Sequence, residues 1–192
     1  MALNKDLEYV DKVLAGNSRA YSYLVNKYRD MVFTIIVKIL GNEEDAEDLS
    51  QEVFLKVYKS LRKFKRKSKF STWLYRIAYN EAITKTRKKK HINQGLENNI
   101  IENYTEDAAT ESLYELSSDQ QQQLLEKVLQ KLPDNGYIII TLYYKKDCSV
   151  KEISKITGMS ESNVKVTLHR TRSRMQQLMS VLMKENLISK EL

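Results

Sequence analysis

The chain has few of the residues that interrupt a helix or staple a small fold. Among 192 residues there is one proline, Pro133, and there are five glycines, too few breakers for a turn-rich β architecture. A single cysteine, Cys148, excludes an internal disulfide, and no Cys/His cluster has ligand spacing for zinc or haem. No metal or other cofactor is expected, and a reducing cytoplasm is the expected compartment. The longest apolar stretch, around Met31 to Leu40, is broken by Thr34 and Lys38 and is too short to span a bilayer. The N-terminus has no signal-peptide apolar core, so no membrane insertion is expected. A phosphate-binding glycine loop, a metal set and a nucleophile–base pair are also missing, which argues against an enzyme and against a small-molecule substrate.

What is abundant is helical periodicity and charge laid down in blocks. Apolar residues recur at 3.6-residue spacing with no sustained two-residue alternation, so the fold class is all-α. The net charge is +7, which favours a polyanionic partner, although many proteins carry such charge as a solvated face. Residues 1–90 hold 20 basic and 11 acidic side chains. From His91 to Glu126 there are eight acids and no Lys or Arg, and residues 127–192 hold 12 basic and six acidic side chains. The expected organisation is two small helical domains, 1–90 and 119–192, joined by a flexible acidic linker over 91–118. That linker is polar and rich in Asn, Glu and Gln, with too little apolar area to offset the entropy of ordering it. At roughly 3.4 Å per residue its reach is about 95 Å, between two and three turns of DNA at about 34 Å per turn.

Spacing and capping residues predict helices at Asp6 to Ala15, from an N-cap at Ser18 to Leu40, and from an N-cap at Asn42 to about Leu61. Gly16 and Gly41 end the first two. A fourth helix is expected at about Ser71 to Arg87, then Asp119 to Lys131, Asp134 to Lys145, Val150 to Thr157 and Glu161 to Met183.

Three constellations carry the functional argument. On the third helix, Ala46, Leu49, Val53, Val57 and Leu61 form an inward face. The opposite stripe, Glu44, Asp48, Gln51, Glu52 and Leu55, combines acids with a leucine and suits a partner bearing Arg or Lys; it also suits a solvated face whose acids complement the helix dipole. Next, six of the eight residues from Arg62 to Lys69 are basic, with Phe64, Phe70, Trp73, Tyr75 and Tyr79 interleaved. Cations hold phosphates and aromatic faces stack on unpaired bases, while the other reading is an aromatic core beside a charged loop. Arg76, Asn80, Ile83 and Arg87 form one stripe on the helix that follows, where Asn80 suits either a base-edge contact or a local hydrogen bond.

The third constellation is SVKEISKITGMSESNVKVTLHRTRSRM. Ser149 and Glu152 have capping-box spacing, Ile153 and Ile156 point inward, Ser154 permits close approach, and Gly158, Met159 and Ser160 supply the turn, a core plug and the next cap. Val164 and Leu168 then face inward, giving helix-turn-helix spacing, with an ordinary helical hairpin as the other reading. The outward residues of the second helix are Glu161, Ser162, Lys165, Val166, His169 and Arg170, with Arg172 and Arg174 further along to hold phosphates.

In this order the segments resemble the extracytoplasmic-function (ECF) branch of the sigma-70 family over nearly the whole chain. DAEDLSQEVFLKVY is similar to the family's core-polymerase-binding helix, FSTWLYRIAYNEA to the helix that meets the downstream, minus-10 promoter element, and LPDNGYIIITLYY with the helix-turn-helix to the module that reads the upstream, minus-35 element. The resemblance implies a sigma factor that carries bacterial RNA polymerase core to promoter DNA and assists local melting. It implies core contacts by Glu44, Asp48, Gln51, Glu52 and Leu55. Minus-10 contacts are implied for Lys65, Arg66, Lys67, Lys69, Trp73, Arg76, Asn80 and Arg87. Minus-35 contacts are implied for Glu161, Ser162, Asn163, Lys165, Val166, His169, Arg170, Arg172 and Arg174. It further implies a cognate anti-sigma factor, and an acidic linker that threads toward the RNA path and imitates RNA. The family often has Thr-Val-Lys-Ser-Arg in the recognition helix where Asn163, Val164, Lys165, Val166 and Thr167 stand here, so the promoter sequence does not carry over. A helix-turn-helix regulator that never touches polymerase is the other reading; it leaves the Glu44 to Leu55 stripe and the acidic strap without a role. A protein-binding helical adaptor is a third, which salt-dependent DNA binding would eliminate.

Overall fold

The computed structural model describes residues 2–90 and 117–188, with side chains over 5–87 and 117–183. Among the described residues all regular structure is helical. The helices are α1 (Ala2–Leu14), α2 (Tyr21–Leu40), α3 (Glu43–Ser60), α4 (Phe70–Lys90), α5 (Ser118–Gln130), α6 (Asp134–Tyr144), α7 (Val150–Thr157) and α8 (Glu161–Ile188). The expected linker, and the role given to its acids, lie outside the described residues apart from Ser117 and Ser118, which cap and begin α5. The chain groups into two compact units: Met1–Gln94 with Cys148–Glu161, and Gly95–Asp147 with Ser162–Leu192.

In the first unit α2 is the central helix, packed on α1, α3 and α4, while α4 also packs on α7. Leu24, Ile35 and Ile36 of α2, Leu61, Leu74 of α4, and Ile153 and Ile156 of α7 are all fully buried. Each such side chain contributes about 1.5–3 kcal/mol. The entry to α2 differs from the expectation. Asn17, not Ser18, is the capping residue, because its carboxamide oxygen accepts from the Ala20 N–H and starts a 3-10 turn over Ser18–Ala20 that runs into α2. Gly41 ends α2 at φ 69°, a left-handed conformation that costs glycine little. A buried carboxylate ties α1 to α2: Asp6 accepts from Lys27 Nζ and from the Tyr28 hydroxyl, each at 2.5 Å. Burial, and next the Asp6 carboxylate, push the Tyr28 phenol far above its ordinary pKa, so it donates as a neutral group.

In the second unit α6 is apolar nearly all round, with Ile138, Ile139, Ile140 and Leu142 buried, as a helix enclosed on several sides requires. Gly136 permits a close approach to α8, since a Cβ there would lie 2.8 Å from Thr171 Oγ1. Leu124 and Val128 of α5 form a core with Met183, against which Met175, Leu178, Met179 and Leu182 pack. α8 runs past Met183, the expected end, to Ile188.

Candidate nucleic-acid and partner interfaces

α3 begins at Asn42, whose side chain accepts from the Asp45 N–H at 2.8 Å, and three acids fill its first turn. Its acidic residues then divide by direction. Asp45 meets Lys85 of α4 at 3.5 Å, and one turn beyond the acids Lys56 reaches Glu81 at 2.5 Å, so these pairs fasten α3 to α4. Glu44, Asp48, Gln51 and Glu52 are exposed. The inward row, Ala46, Leu49, Val53, Val57 and Leu61, is buried as expected. The exposed stripe runs onto Leu55, 59% exposed, and Tyr58, 42% exposed. Tyr21 packs edge-on against Tyr58 with ring centroids 5.1 Å apart and donates its hydroxyl to the Phe54 carbonyl at 2.7 Å. The result is a fixed apolar end on an acidic face, a composition that fits a docking surface better than a merely hydrated helix.

Between α3 and α4 the basic loop is partly engaged within its own unit. Arg66, at φ 56°, donates its guanidinium to the Asp11 carboxylate of α1. Lys69 lies 3.0 Å from Glu152 of α7, and the Thr72 hydroxyl donates to the same carboxylate at 3.4 Å. Lys65 and Lys67 are exposed. The interleaved aromatics resolve toward packing: Phe64, Phe70, Tyr75 and Tyr79 are buried, so they build the core rather than offer faces to bases. Trp73 is half-buried, with its ring 5.2 Å from Phe64 and 6.0 Å from Phe70, and keeps part of its surface open. Burial pushes the Tyr75 phenol far up, and it raises Tyr79 despite the opposing influence of Arg87, so both stay neutral. Arg76, Asn80 and Arg87 are exposed along α4, and Ile83 between them is half-buried.

α7 starts with a reciprocal capping box: the Ser149 hydroxyl accepts from the Glu152 N–H at 3.2 Å while the Glu152 carboxylate accepts from the Ser149 N–H at 2.9 Å. It ends at Gly158, φ 76°. Ser154 donates to the Met159 carbonyl at 2.6 Å, tying α7 to the turn that follows. On α8, Val164 and Leu168 are buried, and Glu161, Ser162, Asn163, Lys165, Val166, His169, Arg170 and Arg174 are exposed. Exposed Arg172 is engaged: its Nε donates to the Tyr144 hydroxyl at 2.9 Å and its guanidinium lies 5.6 and 5.5 Å from the Tyr143 and Tyr144 ring centroids. The terminal guanidinium nitrogens of Arg172 keep N–H donors beyond the one given to that hydroxyl.

Comparison with known proteins bears on all three surfaces. Residues 24–92 match the family model described as Sigma-70 region 2, and residues 122–175 match Sigma-70, region 4, together more than half of the chain. The ECF RNA polymerase sigma factor SigW of Bacillus subtilis is 34% identical over 90% of this chain and 94% of its own length. The chain belongs to the sigma-70 family, in its ECF branch. As a sigma factor it directs RNA polymerase to promoters in transcription initiation, and a regulator independent of polymerase is not favoured. The RNA polymerase sigma-H factor of Pseudomonas aeruginosa is similar at 27% identity over 94% of this chain and 97% of its own. The fold is shared with a Bartonella quintana sigma factor, RpoE, solved in complex with the anti-sigma factor NepR (TM-score 0.61, 23% identity, 84% of this chain and 97% of that one). It is also shared with CnrH, solved with the cytosolic domain of CnrY (TM-score 0.58, 20% identity, 90% and 96%).

In this sigma factor the region 2 match takes in α3, the basic loop and α4, and α1 with its Asp11 lies ahead of it. The region 4 match holds α6, α7 and the first half of α8. Among the described residues no group of three or more His, Cys, Asp or Glu is placed to hold a metal, and no helix is long and apolar enough to cross a membrane. Sequence reasoning missed the partners of the basic loop, Asp11 and Glu152, which stand 55 and 83 residues away from Arg66 and Lys69. It also missed Tyr58, which continues the α3 stripe three residues beyond Leu55 and was legible from that spacing.

Proposed function

We propose that this sigma factor binds core RNA polymerase through the exposed α3 stripe of Glu44, Asp48, Gln51, Glu52 and Leu55. The observation that carries the reading is the exposure of that stripe and its apolar end while the remaining apolar side of α3 is buried. Domain 1–90 also meets the minus-10 element, with Lys65, Arg66, Lys67 and Lys69 on phosphates and Trp73, Arg76, Asn80 and Arg87 along the opened strand. Domain 119–192 reads the minus-35 element with α8: Glu161, Ser162, Asn163, Lys165, Val166, His169 and Arg170 toward bases, Arg172 and Arg174 toward phosphates. The segment 91–118 joins the two. The chain works in the cytoplasm, catalyses no reaction itself, and is restrained by an anti-sigma factor that covers these same surfaces. That the similar Bartonella quintana RpoE was solved with an anti-sigma factor supports the last point.

Co-elution with bacterial core polymerase tests the reading. Wild type is expected to co-elute at moderate salt, and an Asp48→Arg, Glu52→Arg double variant of unchanged helicity is expected to lose that association. Equal association of the two proteins would remove α3 from the interface.

A further inference from the structure

At the start of α4, Lys69 and Thr72 converge on one carboxylate. Lys69 Nζ lies 3.0 Å from Glu152 Oε1, and the Thr72 hydroxyl donates to the same oxygen at 3.4 Å. Thr72 is only 2% exposed, so its hydroxyl is a buried polar group aimed at an anion. Lys69, Thr72 and Arg76, at steps of three and four, run in line with Asn80, Ile83 and Arg87 along one side of α4. The carboxylate therefore occupies the head of the stripe assigned above to promoter DNA. All of these groups belong to the first compact unit, which includes α7.

The carboxylate is held for the task. Burial alone raises its pKa, but the Ser149 backbone N–H, the Lys69 ammonium and the Ser149 hydroxyl together outweigh burial and hold the Glu152 carboxyl below its ordinary pKa. An ammonium and a hydroxyl around one anionic oxygen are the donors that a DNA backbone phosphate would take, and a phosphate offers more charge and more acceptor oxygens than a carboxylate.

We propose that Lys69 and Thr72 form a backbone-phosphate subsite at the entry to α4, and that Glu152 occupies it as an internal stand-in. Seating of α7 on α4 and engagement of DNA at this point then exclude one another. Arg66, held by the Asp11 carboxylate, is a separate pairing on the same loop. The proposal rests on the reading of the α4 stripe as a DNA surface, and its test has one arm that needs no DNA.

Glu152→Gln suits the test because glutamine can still close the capping box while losing the charge. In the first arm, full-length protein with Cys148→Ala carries spin labels at Glu47→Cys on α3 and Lys151→Cys on α7, both exposed positions. Wild type is expected to give one narrow distance distribution and Glu152→Gln a broader, longer one; superimposable distributions overturn the stand-in role. In the second arm, mixed-sequence fork-junction DNA is the probe. Glu152→Gln is expected to bind threefold to tenfold more tightly than wild type, and Thr72→Val in the Glu152→Gln background is expected to abolish most of that gain. Equal affinity of wild type and Glu152→Gln overturns the phosphate subsite. If neither protein binds this DNA, the DNA reading of α4 fails and the subsite with it, while the distance arm still decides whether Glu152 holds α7.

Discussion

Thr171 shows how narrowly single atoms set this fold. A Cβ on Gly136 would stand 2.8 Å from Thr171 Oγ1, closer than real contacts allow, and α6 is buried on the sides that would have to move. Gly136→Ala is therefore expected to destabilise the second unit by about 1–3 kcal/mol, the usual range for overpacking. Adding Thr171→Ala should restore most of the loss in a double-mutant cycle read by thermal melting at 222 nm; additive losses would show that the contact is not the cause. Nothing in the sequence singled out Gly136, because a glycine in a helix declares a close approach only when its neighbour across the packing is known. The outward residues of α3 were legible individually, since a three- and four-residue rhythm assigns each position to one side of the helix. The basic loop was legible in composition and misleading in detail: its cations were counted as available for DNA, whereas two of them meet carboxylates far away along the chain.

At the level of elements, helix ends were well marked where a cap and a glycine stood in the sequence, at Asn42, Ser149, Gly41 and Gly158. They were misplaced where a 3-10 turn intervened, as at Ser18–Ala20, because the same side chains cap either helix type. The four buried aromatics near α4 were ambiguous for a physical reason. Aromatic rings beside cations serve a core and a stacking platform equally well until burial separates the two uses. The capping box of α7 gives a pH dependence with a definite sign. Burial is outweighed by hydrogen bonds from Ser149 and the Lys69 ammonium, which hold the Glu152 carboxyl below its ordinary pKa in the folded chain, so its stabilisation is complete above the ordinary carboxylate value and fades as pH falls through the lower folded value. Protection of α7 amides against hydrogen exchange is expected to drop in that acid window for wild type, and to be flat there for Glu152→Gln. The same loss in both proteins would assign the acid sensitivity to another group.

For the whole molecule, the order of parts was the most legible property. An acidic helix face, a basic loop with its following helix, and a helix-turn-helix appear in the sequence in the order that the region 2 and region 4 matches require. What the sequence could not show is that α7 is grouped with the first compact unit, since that depends on contacts between residues far apart in the chain. Specificity belongs to this scale as well, since α8 presents exposed Lys165, Val166, His169 and Arg170 together. The most direct test of the central claim is transcription by bacterial core polymerase from a library of randomised promoters, with 5′ ends sequenced with and without this protein. Starts that depend on the protein and share two sequence blocks are expected, with the upstream block alone relaxed by Lys165→Ala, Arg170→Ala. Start sites that are the same with and without the protein would contradict the claim.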